Sequence, residues 1–287
     1  MVATMTVTLG ELTLTDDPVG DPSWKVQELD GWWSPPPVET NIENIPLGDG
    51  GFDAPTFRRP KTFSINGVVQ ASTRAAARTA AWDRLAGLSP TGGPMTLTVM
   101  DEAGTRQMQV RLASNPQVLP YGGQRAFFQI PLVAADGRKY GPLISQQRGI
   151  GLPAATDGLT FPLFSDGTLS FGSFTGTNSV ALANTGTAPT FPTFAVSGYF
   201  DSAGFVIVSD AGEVITFQRT VSPGSTVILS PYAGGRATID GSDQTTYLTS
   251  PSWTPIPPKG SRAYTLFAAG QSDAGAGMTV TYREAWW

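Results

Sequence analysis

Carboxylates are the acid–base groups this sequence can offer. It has no histidine and no cysteine. That removes serine triads, thiolate nucleophiles, His/Cys zinc sites and disulfides together. A pair of carboxylates could hydrolyse a glycosidic bond, and the candidates are Asp201, Asp210, Glu213, Asp240 and Asp243. Most of them fall in turn sequences such as Ser209-Asp210-Ala211-Gly212, where Asp is favoured for its local hydrogen bonds. They read as turn residues, no catalytic set is assigned, and the chain is not expected to be an enzyme. Asp240-Gly241-Ser242-Asp243 could lend oxygens to calcium, but a solvated turn is the expectation. Gly149-Ile150-Gly151 is no phosphate loop, because no helix follows it and Pro153 sits close by. No metal and no cofactor are expected.

Aromatic rings offer a second kind of chemistry. Tyr232, Tyr247 and Trp253 could stack on a sugar, as could Trp286 and Trp287. The competing reading puts Trp253 in a core and packs the terminal tryptophans on their own domain or on a neighbour.

The elements that must position these groups are short strands and tight turns. The chain of 287 residues has 33 glycines, 24 prolines, 14% charged and 40% hydrophobic residues. That is an all-β profile with enough apolar surface for two cores. Thr6–Leu9 and Leu12–Thr15 flank Gly10-Glu11 as a hairpin. Residues 16–56 are turn-rich, with a short strand near Trp24–Leu29 and an extended Pro35-Pro36-Pro37; so long an irregular segment is usually functional or partner-bound. Lys61–Gln70 alternates as a strand, bent at Gly67. The period then changes: Ser72 or Thr73 caps a helix that ends near Gly87, with Ala81, Trp82, Leu85 and Leu88 as its core stripe. Strands resume at Met95–Met100, Arg106–Leu112 and Ala126–Ala134. Residues 145–160 read as a linker between a first domain, 1–148, and a second, 149–287. Beyond it, strands at 205–208, 213–217, 226–229, 236–241, 263–268 and 278–283 fit an antiparallel β-sandwich. No apolar run reaches about 18 residues and no signal sequence opens the chain, so a soluble protein without membrane insertion is expected.

Charge is unevenly placed. The net charge is −5, which argues against direct nucleic-acid binding. Residues 1–53 hold ten acids against one base, Lys25, whereas residues 54–148 hold four acids against twelve bases. Asp16, Asp17 and Asp21 are candidates for a face turned toward a neighbouring subunit or toward a lumen; a solvated loop is the plain alternative.

Several runs, in order, resemble the distal tail (minor tail) proteins of long-tailed bacteriophages, of the actinobacteriophage type. In the C-terminal half these are Leu159-Thr160-Phe161-Pro162-Leu163, then Asn184-Thr185-Gly186-Thr187-Ala188-Pro189 with Pro192 and Gly198. Val221-Ser222-Pro223-Gly224, Trp253 with Pro257-Pro258-Lys259-Gly260, and Val280-Thr281-Tyr282-Arg283 follow. In the N-terminal half Leu29-Asp30-Gly31-Trp32 and Arg59-Pro60-Lys61-Thr62-Phe63 fit the same family. The chain departs from it at Ser261-Arg262-Ala263-Tyr264 and at Ser230-Pro231-Tyr232.

The resemblance implies a mainly β fold: a tail-tube-like β-sandwich with one α-helix, then a galectin-like antiparallel β-sandwich. It implies a structural virion protein, six copies forming a ring at the distal end of a siphophage tail. The implied partners are the same chain (a homohexamer), the tail tube protein, the tail-tip or baseplate hub proteins and the tape measure protein, with DNA passing through a channel. Assembly would take place in the host cytoplasm. The alternative is a carbohydrate-binding module for a host cell-wall or cell-surface glycan.

Overall fold

The structure is a computed structural model that describes residues 5–40, 42–46, 49–53, 55–89, 92–120, 123–149, 179–231, 234–273 and 275–287. The chain divides into two units, Met1–Pro142 with Trp286–Trp287, and Leu143–Ala285.

The first unit starts with β1 (Thr6–Leu9), β2 (Leu12–Thr15) and β3 (Ser23–Asp30). Leu9 pairs with Leu12 across Gly10-Glu11, and Gly10 takes φ +57°, the left-handed conformation a two-residue hairpin turn requires. An arm follows, built from β4 (Val38–Glu39), β5 (Ile42–Asn44), β6 (Gly51–Asp53) and β7 (Phe57–Arg58). In the arm β4 pairs β7 and β5 pairs β6, so it is a hairpin outside the main sheet. Then come β8 (Lys61–Gln70), α1 (Arg74–Ala86), β9 (Met95–Asp101), β10 (Gly104–Leu112), β11 (Gln117–Pro120), β12 (Arg125–Ala134) and β13 (Lys139–Gly149), whose residues from Leu143 onward belong to the second unit.

The sheet runs β11-β12-β8-β3-β2-β1-β9-β10-β13, and β12 also pairs β10 through Arg111↔Val133 and Leu112↔Leu132. That extra pairing closes the sheet into a barrel-like sandwich. Its interior holds the alternate residues Val7, Leu9, Leu12, Leu14, Ile65, Leu97, Val99, Ile130 and Leu132. Gly67 is required by close approach rather than by a bend. A Cβ there would lie 2.4 Å from Phe128 Cζ and 2.5 Å from the Lys25 carbonyl, beside the bulge between Val26 and Glu28.

The helix forms as its sequence predicts, with Thr73 as N-cap accepting from the Ala76 amide at 3.1 Å. Its buried stripe is Ala77, Ala81 and Leu85, at four-residue spacing, facing β8, β11 and β12. Trp82 is not part of it: the ring is 67% exposed, which corrects the sequence expectation. Small alanines let the helix axis sit close to the sheet, and the position after Ala81 then points about 100° away.

The second unit contains β14 (Ser179–Asn184), β15 (Thr193–Ser197), β16 (Phe205–Ser209), β17 (Val214–Phe217), β18 (Thr226–Ser230), β19 (Arg236–Ile239), β20 (Ser242–Asp243), β21 (Leu248–Pro251), β22 (Gly260–Ala268) and β23 (Gly277–Trp286). One sheet runs β14-β22-β16-β17-β21 and the facing one β23-β15-β18-β19-β20. Every registered pair in these sheets is antiparallel. Val180, Leu182, Phe194, Phe205, Phe217, Val227, Tyr264 and Val280 fill the space between them, the alternation of a β-sandwich core. The fold is mainly β throughout, and among the described residues α1 is its one α-helix.

The linker expectation changes in part. Residues 145–149 lie inside strand β13, whereas residues 150–160 and the run Leu159–Leu163 lie outside the described residues.

Candidate functional site

The arm is held at its base by polar contacts. Arg58 donates to the Pro36 carbonyl at 3.3 Å and the Arg59 amide to the Pro37 carbonyl at 2.8 Å. Arg59 also pairs with Glu39 at 2.7 Å, holding that carboxyl below its usual range through the hydrogen bond first and charge second. Both partners are exposed, so the pair contributes little to stability. The proline triplet, without N–H groups at these positions, keeps the entering chain extended. The arm itself has almost nothing apolar to pack on. Val38, Ile42, Phe52 and Phe57 are 51, 64, 60 and 67% exposed.

A second apolar surface lies on the helix side. A groove of about 370 Å³ is lined by Trp82, Leu85, Leu88, Leu112, Pro116 and Val118. Leu119, on the edge strand β11, is 61% exposed. Arg74 and Arg78 precede Trp82 at four-residue steps, so the three share one exposed stripe of α1. Neither arginine has an ion-pair partner among the described residues.

The acidic candidates separate by role. Asp16 is half-buried: its Oδ2 accepts from the Met5 amide at 3.1 Å and so ties down the start of β1, while its Oδ1 has no partner. Asp21 is exposed but accepts from the Ser72 amide at 3.0 Å, just ahead of the helix cap. Asp17 is exposed, and its side chain makes no hydrogen bond or ion pair among the described residues. Of the three, Asp17 alone is free to face another molecule without losing an internal contact.

Sequence reasoning missed a buried cationic pair at the base of the arm. Lys61 and Lys139 are 2 and 3% exposed. Lys61 Nζ donates to the carbonyls of Trp32 at 2.7 Å and Ser34 at 2.6 Å, and Lys139 Nζ to the same Trp32 carbonyl at 3.1 Å. Both ammonium groups lie over the Trp32 ring, at 5.8 and 5.5 Å. Burial lowers both pKa values to about 8, helped by the charge of Lys139 at Lys61 and of Arg106 at Lys139. Nothing in the local sequence signals this, since Arg59-Pro60-Lys61-Thr62 and Gly137-Arg138-Lys139-Tyr140 both read as polar. Also in the first unit, Arg106 lies over the Trp286 ring at 4.9 Å and Arg58 over that of Trp287 at 4.3 Å.

The three sugar-stacking candidates are not brought together by any contact of the described residues. Trp253 is stacked on Phe194 at 6.1 Å, and Gly235 lies directly against its indole nitrogen. Tyr247 meets Phe217 edge-on at 6.4 Å and carries the Arg219 guanidinium at 4.9 Å. Tyr232 lies outside the described residues. The carboxylates considered for chemistry hold turns and ion pairs. Asp201 accepts from the Ala203 and Gln271 amides, and Asp210 pairs with Arg262 at 2.8 Å. Asp243 bonds the Thr245 hydroxyl and amide and pairs with Arg236, which lowers its pKa to about 2. Among the described residues no three Asp or Glu side chains gather as a metal site.

The profile of the siphovirus-type tail component, C-terminal domain, matches residues 185–286. The second unit is thus similar to a siphovirus tail-component domain over residues 185–286. The motif that opens the match is a tight knot. Asn184 Nδ2 donates to the carbonyls of Ala188 and Pro257, and its Oδ1 accepts from the amides of Gly186 and Ala285. A Cβ on Gly186 would lie 1.8 Å from the Ala285 carbonyl. Among solved structures, the chain is similar to the Dit (gp 19.1) protein of phage SPP1, presented as a paradigm of the hub adsorption apparatus of phages infecting Gram-positive bacteria. The TM-score is 0.70 at 16% identity, over 99% of both chains. It is also similar to a chain of the phage P2 baseplate in its activated conformation with calcium, with a TM-score of 0.50 at 10% identity over 98% of both chains. At these identities the likeness is one of fold. No curated protein sequence matches. The chain thus shares its fold with the Dit protein over its whole length, and residues 185–286 match the tail-component family.

Proposed function

We propose that this protein forms a hexameric ring at the distal end of the tail. The ring joins the tail tube to the tail-tip or baseplate hub proteins and leaves a channel through which DNA passes. The tail tube protein, the hub proteins and the tape measure protein are its neighbours, and assembly takes place in the host cytoplasm. Its work is structural, not enzymatic. In this reading the first unit builds the ring and the second, tail-component unit follows it.

The observation that carries the reading is the arm. Isolated exposed apolar residues are ordinary, but an unpacked hairpin presenting Val38, Ile42, Phe52 and Phe57 has surface that its own chain leaves uncovered. A ring supplies a neighbour to cover it. The net charge of −5 fits a channel that phosphate does not stick to. Glycan binding is not proposed, because Trp253 and Tyr247 spend ring surface on Phe194 and Phe217. The test is the mass and shape of the purified chain: hexamers of six-fold outline support the reading, and a monomer at every concentration overturns it.

A further inference from the structure

We propose that the groove beside Trp82 is the socket for the arm of a second copy of this chain. The proposal rests on the ring reading and says which surfaces meet in it. Two uncovered apolar surfaces of the first unit need a partner. One is convex, the arm with Ile42, Phe52 and Phe57; the other is concave, the groove floored by Leu85, Leu88 and Leu112 and walled by Trp82.

Their charges are complementary. The outer part of the arm, residues 42–53, contains Glu43, Asp49 and Asp53 and no lysine or arginine, whereas Arg58 and Arg59 at its base are engaged with the Pro36 carbonyl and Glu39. The helix beside the groove presents Arg74 and Arg78, both exposed, in line with Trp82. Opposite charges around an apolar contact orient the encounter and disfavour a reversed fit. The arm does not fill its own groove, since Phe52, Phe57 and Trp82 are all uncovered within the single chain.

Reach is sufficient. Nine residues from Val38 to Pro46 span at most about 30 Å, against a radius of gyration of roughly 14 Å for a unit of this size. A tryptophan flanked by arginines is also the composition that dominates binding energy at protein interfaces. Arm and groove together form the centre of a contact whose remainder the ring must supply, since a stable interface buries about 800 Å² per partner.

Two measurements on the full chain test the proposal. In the first, a photo-crosslinking benzoylphenylalanine replaces Phe52, and isotope-labelled and unlabelled chains are mixed so that only links between copies are read. Adducts on peptides spanning 82–89 or 112–119 are expected. Adducts elsewhere on another copy, within the same chain or on a different protein overturn the socket. The second compares Trp82→Ala with wild type by mass photometry and melting. Association about tenfold weaker or more is expected, with the melting temperature of the dissociated chain at low concentration unchanged, because the indole is exposed there. Unchanged association overturns the proposal. Rings that form normally while the adducts map elsewhere refute the socket and leave the ring standing; absence of rings in the wild type removes both.

Discussion

Asn184 holds Ala188: its Nδ2 donates to the Ala188 carbonyl at 2.8 Å, closing the turn at which the match to the tail-component family begins. The same side chain receives the amides of Gly186 and Ala285, so one buried residue links the start of the domain to its last strand. Asn184→Ala leaves those amides and the Ala188 carbonyl without their partner in a buried place. A loss of about 3 kcal/mol is expected in denaturant unfolding of the second unit. A loss below about 1 kcal/mol would mean water replaces the side chain.

Helix α1 makes opposite predictions for two residues three positions apart. Leu85→Ala removes a side chain that is 3% exposed and is expected to cost about 2–4 kcal/mol. Trp82→Ala, although the larger truncation, is expected to change stability by less than about 1 kcal/mol, because the ring is mostly in solvent. Thermal melting of both variants checks the pair, and a reversed order would place Trp82 in the core.

The acidic stretch is predicted to respond residue by residue. Asp17→Lys should leave the melting temperature within about 1 °C of wild type, as an exposed site without a partner. Asp16→Lys and Asp21→Lys should each lower it, because they break the contacts to the Met5 and Ser72 amides. If instead Asp17→Lys alone weakens assembly, and more at low salt than at high, that carboxylate faces a neighbour.

The buried lysine pair makes stability depend on pH. Both pKa values fall from 10.5 to about 8 on folding, chiefly through burial. Between about pH 8 and 10.5 the unfolded chain therefore binds more protons than the folded one, and stability rises with pH. Below pH 8 both states are charged and the full cost of burying the charges is present. Denaturant midpoints across this range should climb in wild type and climb less in Lys61→Met. A midpoint that falls equally in both would show the pair to be hydrated.

Local patterns made much of the fold legible. The two-residue hairpin at Gly10-Glu11, the ten-residue strand Lys61–Gln70 and the Thr73 cap are dictated by neighbours in sequence, and each forms as read. What sequence did not show depends on distant partners. Strand β13 carries Ser145-Gln146-Gln147-Arg148, mostly exposed on both faces, so no alternation marked it as a strand. Helical spacing puts Trp82 on an apolar stripe with Ala81, Leu85 and Leu88, whereas the alanines at 77 and 81 decide which side of the helix meets the sheet. Lys61 and Lys139 meet at one carbonyl of Trp32 across 78 positions of chain, which no local pattern can show. For the candidate site, the irregular segment with its proline triplet was visible as a region needing a partner; its exposed side chains and the groove were not.

The central claim is tested most directly by negative-stain imaging of the purified full chain, with an antibody to it then applied to the virion. The account predicts rings of six subunits with an open centre, and label at the distal end of the tail. Monomers at every concentration, with no label at the tail tip, would contradict it.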